Sequence, residues 1–123
     1  MADKLNKQQI FDSIPDEHKN GDCFKVAVDT LMKHPKYTLV HAVVTGQGCI
    51  AGIEYTHAFC IDEATDMVID NTQSSKHNKM PVGMYYYYGK ISISREYTYR
   101  EVLENLVEYK TYGPWDPVFD NYL

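Results

Sequence analysis

The sequence predicts an α+β domain in which one helix packs against a small antiparallel sheet. Apolar residues recur every three or four positions across residues 23–34, which is the period of a helix with one buried face. Three later stretches, 37–45, 54–62 and 67–70, are rich in β-branched and aromatic residues and are separated by short polar turns. A helix followed by strands joined through turns favours an antiparallel sheet covered by helices.

Further elements are predicted on either side of this centre. Residues 4–14 carry apolar side chains at the spacing of a short amphipathic helix, which Pro15 ends. Asp22 is a good N-cap for the helix of residues 23–34. Two more strands are predicted around Gly89, at residues 84–88 and 90–94, after a polar loop at residues 71–81.

Near the C-terminus, Thr98 and Glu101 stand at the spacing of a capping box, which predicts a helix from there to about Lys110. Its apolar residues are expected to face inward, and they are Val102, Leu103, Leu106 and Val107. Trp115 is expected to hold the tail against the rest of the domain.

The composition excludes several classes of protein. The 123 residues suit one domain spanning 1–123, and 44% of them are apolar, so a core is expected. A formal charge of −5 argues against nucleic acid as a partner. Without a long apolar run we expect no membrane span, and without a signal core we expect a cytoplasmic protein. No cofactor is indicated, and the oligomeric state is not predicted.

The candidate nucleophile is the cysteine that opens the helix predicted for residues 23–34. Cys23 follows the polar segment that ends in Gly21 and Asp22. Unpaired backbone N–H groups and the helix dipole favour a thiolate at this position. The carboxylate of Asp22 opposes that effect if its side chain is not engaged in capping.

A histidine and an aspartate on successive predicted strands are the candidate partners of that thiol. His57 lies within the strand 54–62, and Asp70 ends the strand 67–70 after a short turn. A thiol nucleophile needs a base to take its proton and a third group to hold the base in one tautomer. The hairpin places Asp70 beside His57 only if its register is correct.

The histidines and cysteines of the sequence allow other assignments. His41 lies on the strand 37–45 and is expected to be a hydrogen-bonded core residue or a residue that supports the site, and His57 is preferred as the base because a carboxylate follows it on the next strand. Cys49, His57 and Cys60 are close in sequence but lack the paired short spacings of structural zinc. His57 and Cys60 also point to opposite faces of one strand. We therefore expect no metal site.

The order of these motifs resembles that of the papain-like and transglutaminase-like cysteine peptidase superfamily, which has small phage and bacterial members. The similarity covers residues 20–90 and consists of Cys23 opening a helix, Thr56-His57-Ala58-Phe59 on a strand, and Asp70-Asn71-Thr72 after the next strand. It implies a papain-like or transglutaminase-like fold. It also implies Cys23 as nucleophile, His57 as general base and then acid, and Asp70 as the orienting carboxylate.

The chemistry that the resemblance implies is acyl transfer from an amide-type bond of a protein or peptide substrate. The backbone N–H of Cys23 is one expected oxyanion donor, and Gln47, Asn20 and Asn71 are candidates for further oxyanion or substrate contacts. The alternative is a catalytically silent module that sequesters a partner protein. Its contact surface would be the acidic exterior and the four tyrosines at 85–88.

Overall fold

A computed structural model describes residues 22–46, 48–73 and 78–122, without the side chain of Asp22. The three α-helices in this part of the chain lie before, between and after the strands. They are α1 (Asp22–Lys33), α2 (Val82–Gly89) and α3 (Tyr99–Tyr109). The strands are β1 (Thr38–Thr45), β2 (Glu54–Asp62), β3 (Met67–Ile69), β4 (Lys79–Pro81) and β5 (Ile93–Tyr97). Short 3₁₀ helices span Gly48–Ile50 and Pro117–Tyr122.

The five strands form one antiparallel sheet in the order β4-β3-β2-β1-β5. Its centre is the pair of β1 and β2, which are matched along the whole length of β1, from Thr38 opposite Ile61 to Thr45 opposite Glu54. The prediction of an α+β fold with a helix on a small antiparallel sheet is confirmed at this level.

Strand alternation divides the core between the two faces of the sheet. On one face, Ala58 and Cys60 pack with apolar residues of α1, with Val102 of α3 and with Trp115. On the other face, Phe59 and Ile61 pack with residues of α2. Each face of the central strands is therefore covered by at least one helix, and residues 39–44 of β1 are buried throughout.

The predicted strand at 84–88 is wrong, and the strand predicted at 90–94 begins and ends three residues later. Residues 82–89 form α2, and the strand that follows begins only at Ile93. Val82, Tyr85 and Tyr86 pack onto the sheet, and their spacing of three and four positions is helical. Pro81 precedes the helix, where its missing N–H costs nothing. The strand β4 was also not predicted, because residues 79–81 fell within the expected loop.

The C-terminal helix begins as predicted. Thr98 accepts a hydrogen bond from the N–H of Glu101, whose side chain accepts one from the N–H of Thr98. Only part of its apolar face is buried, since Val102 is enclosed while Leu103 is 39% and Val107 77% exposed. The expectation that Leu103 and Val107 face inward is therefore wrong. Trp115 is buried in the core, as expected.

The predicted helix at 4–14, the rest of the N-terminal segment and residues 74–77 lie outside the described residues. The helix α1 begins at Asp22, one residue before the predicted start, and ends before Pro35, as expected. No helix in the described ranges has the length and apolar character needed to cross a membrane.

Candidate active site

The helix α1 holds Cys23 in its first turn, on the side that faces the sheet. Phe24, Ala27, Val28 and Leu31 of the same helix are buried against the sheet, which fixes the rotation of the helix about its axis. The thiol is 1% exposed. The first four N–H groups of a helix have no intrahelical acceptor, and that of Cys23 is one of them.

The central contact of the site is a buried pair between strand β2 and the residue that follows β3. The ring nitrogen Nε2 of His57 lies 2.8 Å from Oδ2 of Asp70, and both side chains are 2% exposed. The hairpin register pairs Cys60 with Ile69, so Asp70 comes directly after the last paired position of β3. The predicted placement of Asp70 beside His57 is confirmed.

The carboxylate oxygens of Asp70 accept four hydrogen bonds. Oδ2 accepts from His57 and from the hydroxyl of Tyr85 at 2.8 Å, and Oδ1 accepts from the hydroxyl and the backbone N–H of Thr72. Burial alone raises the pKa of Asp70, but His57 and these hydrogen bonds outweigh it and hold the pKa well below its ordinary value. Asp70 is thus a fixed buried anion.

Cys23 is close enough to the imidazole to be among the groups that raise the pKa of His57. His57 itself lies at an open part of the sheet edge. On β2, the strand β3 pairs only with residues 60–62, so no described strand lies beside residues 54–59 on that side. Since Nε2 is bonded to Asp70, the ring nitrogen that remains for the thiol is Nδ1.

The electrostatics of the site favour a charged imidazole. Burial by itself lowers the pKa of His57, but Asp70, and after it Cys23, raises the pKa to about 10. The same charges raise the pKa of two neighbouring tyrosines. Burial first, then Cys23 and Asp70, raises the pKa of Tyr55 to about 12, and burial and Asp70 raise that of Tyr85. Sulfur, imidazole and carboxylate therefore form one electrostatic unit.

A cavity of about 180 Å³ borders this unit on the side of α2. Its lining includes His57, Tyr55 and Tyr85, but neither Cys23 nor Asp70. Thr45 and Gln73 are the other polar residues in the lining, and the remainder is apolar or aromatic. Of the described residues that line the cavity, only His57 can carry a positive charge at neutral pH.

The other predicted contact residues are placed away from the thiol or are not described. The amide of Asn71 donates to Thr30 at 2.8 Å and accepts from Asn78 at 3.3 Å. Thr30 is seven residues along α1 from Cys23, or roughly 10 Å at the helical rise. The structure therefore does not bring Asn71 to the thiol. Gln47 and Asn20 lie outside the described residues.

His41 is a core residue, as expected, but it is not held by hydrogen bonds. It is 0% exposed, and neither ring nitrogen has a hydrogen-bond partner in the described part of the protein. The rings of Phe24, Tyr97 and Trp115 surround it at centroid distances of 4.9–5.2 Å. Burial lowers the pKa of His41 to about 3, so this imidazole is neutral.

The remaining cysteines differ from Cys23 in their surroundings. Cys60 is fully buried and donates to the carbonyl of Ala27 at 3.3 Å, and burial, followed by Asp70, raises its pKa to about 12. Cys49 is exposed. Among the described residues, no group of three or more histidine, cysteine, aspartate or glutamate side chains is placed to hold a metal ion.

Sequence reasoning missed two partners of Asp70. The sequence pattern includes Thr72 only as part of a motif, although an aspartate side chain commonly accepts from the backbone N–H two residues on, as Asp70 does from Thr72. The contact of Tyr85 with Asp70 could not be expected, because the composition of residues 84–88 favours a strand. The spacing of Tyr85 by three residues from Val82, after Pro81, was the available helical signal.

Family models, curated proteins and solved structures were all compared with this chain, and none of them matches it.

Proposed function

We propose that this protein is a cysteine hydrolase or acyltransferase that acts on amide-type bonds of a protein or peptide substrate, with a papain-like or transglutaminase-like arrangement of its site. The observation that carries the proposal is the buried pair of His57 and Asp70, 2.8 Å apart, together with Cys23, which is buried at the start of α1 and is among the groups that raise the pKa of His57. We further propose a cytoplasmic location.

The chemistry follows from the order of the three groups. The charge that His57 carries is the product of the first step, in which the thiol of Cys23 gives its proton to Nδ1, and the sulfur of the resulting ion pair attacks the carbonyl carbon of the substrate. The C–N bond breaks, His57 returns its proton to the leaving amine, and the acyl group remains on sulfur as a thioester. Water or a second amine then releases the acyl group. The backbone N–H of Cys23, at the start of α1, is placed to donate to the developing oxyanion.

The hydrogen bonding of Asp70 supports a catalytic role for the unit. Removing a charged pair from water costs several kcal/mol per ion, and apolar residues of similar size are often as stabilising. This domain nevertheless buries both His57 and Asp70 and directs four donors at one carboxylate. An arrangement that fixes one imidazole and leaves its other nitrogen to a thiol is the one that nucleophilic catalysis requires.

The burial of the thiol favours a second candidate function. Cys23 is 1% exposed, so a substrate reaches the sulfur only after the site opens. A domain that never opens would be a catalytically silent binding module. Its contact surface would include Tyr87 and Tyr88, which are 77% and 56% exposed on α2.

Alkylation of the native protein by iodoacetamide near neutral pH, mapped by mass spectrometry, tests the first candidate. Cys23 and Cys60 are equally buried, so Cys60 is the matched control for access. We expect Cys23 to react faster than Cys60 and faster than the exposed Cys49, because His57 accepts its proton. The variant His57→Gln is expected to slow Cys23 and leave Cys49 unchanged. Equal protection of Cys23 and Cys60 would favour the silent module.

A further inference from the structure

The cavity beside His57 has the size and the lining of a binding site for one small apolar group. Its volume of about 180 Å³ is well below the range of pockets that enclose a whole drug-sized ligand. An apolar cavity of roughly 150 Å³ in another protein binds benzene, which sets the scale for a single ring. One side chain of a substrate fits this volume, whereas an extended peptide does not.

The chemistry of the lining selects a neutral group. Val44, Met80 and the rings of Tyr55, Tyr85 and Tyr88 form most of the wall. Among the described lining residues no lysine, arginine, aspartate or glutamate is present to pair with a charged side chain. An ammonium would lose its hydration there and would also face the charged His57. A carboxylate would gain little, because the charge of His57 is already paired with Asp70.

The position of the cavity assigns the group to one side of the reacting bond. The lining includes the general base but not the nucleophile, so a group seated there contacts the imidazole rather than the sulfur. In acyl transfer the imidazole serves the amine side of the bond, because it protonates the departing nitrogen. We infer that the cavity binds a neutral aromatic or branched aliphatic side chain on the amine side of the amide that is cleaved. This inference rests on the proposed function.

Gly89 offers a way to fill the cavity without touching the catalytic unit. It lines the cavity at the end of α2, and a Cβ built on it would lie 3.6 Å from Ile91 and 3.9 Å from Val44, which are ordinary contacts. Larger side chains here extend from a wall of the cavity. Gly83, on the same helix, is exposed with nothing within 4 Å of such a Cβ, so it supplies the matched control.

The first arm of the test measures binding and does not depend on catalysis. With ¹³C-methyl methionine labelling, benzyl alcohol should cause a saturable NMR shift of Met80, which lines the cavity, and leave Met32 and Met67 unshifted. Gly89→Leu should abolish the shift, Gly89→Ala should weaken it, and Gly83→Leu should preserve it. Binding should survive in Cys23→Ala. An unshifted Met80, or equal shifts at all three methionines, would overturn the inference.

The second arm tests whether the group bound in the cavity lies on the amine side of the cleaved bond. In thioesters of acetic acid, the Cys23 sulfur attacks the carbonyl carbon, the bond to the leaving sulfur breaks and that sulfur takes the proton from His57, so the leaving thiol stands for the amine side. We expect S-benzyl thioacetate to acetylate Cys23 at least tenfold faster than acetylthiocholine, whose leaving group is cationic, with the preference lost in Gly89→Leu and kept in Gly83→Leu. Equal rates in wild type would refute the amine-side assignment. If neither thioester acetylates Cys23 while Met80 still reports binding, the proposed function fails and the cavity remains a ligand site.

Discussion

Replacing Asp70 by asparagine should disable the imidazole while keeping the shape of the site. The carboxylate accepts hydrogen bonds from four donors and is 2% exposed, so no water replaces what the substitution removes. If the NH₂ group of the new asparagine faces His57, it is a donor where the carboxylate was an acceptor. The hydroxyl of Tyr85 can turn to accept a hydrogen bond from this group. Nε2 of His57 can accept one only if it carries no proton. The proton would be confined to Nδ1, which could no longer take one from the thiol.

The expected magnitudes follow from this geometry. Breaking a buried charged pair by changing one partner costs about 3 kcal/mol of unfolding free energy. Loss of the correct tautomer in a comparable triad lowers turnover on the order of 10⁴-fold. Because Asp70 is the largest of the causes that raise the pKa of His57, that pKa should fall in the variant.

Two assays measure the changes in stability and in the pKa of His57. Urea unfolding gives the change in free energy, and an NMR titration of the imidazole gives the pKa of His57 in wild type and in Asp70→Asn. The control is Asp29→Asn, which removes an exposed carboxylate bonded to Lys25 and should cost less than about 1 kcal/mol. An unchanged pKa of His57 in the Asp70 variant would refute the reasoning, whatever happens to stability.

Three further predictions concern stability. The pKa of His57 is raised on folding, so its contribution is complete below the unfolded value of 6.5 and declines as the pH rises towards about 10. His57→Gln should therefore flatten the loss of unfolding free energy between pH 6.5 and 8.5, and an unchanged slope would contradict this. His41 has its pKa lowered to about 3, so it costs stability as the pH falls below 6.5. His41→Phe should reduce that acid slope, which urea titrations at several pH values measure; a steeper slope would count against it. Thr98→Ala should cost about 1 kcal/mol through loss of the helix cap, while a change near zero would show that the cap contributes little.

The central elements of the fold were predictable because each has a clear period. The helix at Cys23 has a three-to-four-residue apolar repeat, and the strand 54–62 was predicted with its observed bounds. The contact of His57 with Asp70 follows once the hairpin is recognised, since few registers bring both residues to one face. The capping box near Thr98 is local and needs no tertiary information.

The segment around the four tyrosines could not be assigned from composition. Tyrosine favours strands, and a run of four gives no polar contrast from which to recognise a helical face. What decides the helix α2 is tertiary, because Tyr85 bonds Asp70 and packs on Phe59 across the sheet. The exposure of Val107 is likewise set by how much surface the sheet offers to α3.

Reaction with a small activated ester tests most directly whether Cys23 attacks carbonyl carbon with help from His57. Native protein treated with p-nitrophenyl acetate near neutral pH should acquire an acetyl group on Cys23, detected by peptide mass spectrometry, and should lose it again by hydrolysis. The label should be absent from Cys23→Ala and strongly reduced in His57→Gln. Acetylation confined to lysines, or equal at Cys23 and Cys60, would contradict the account.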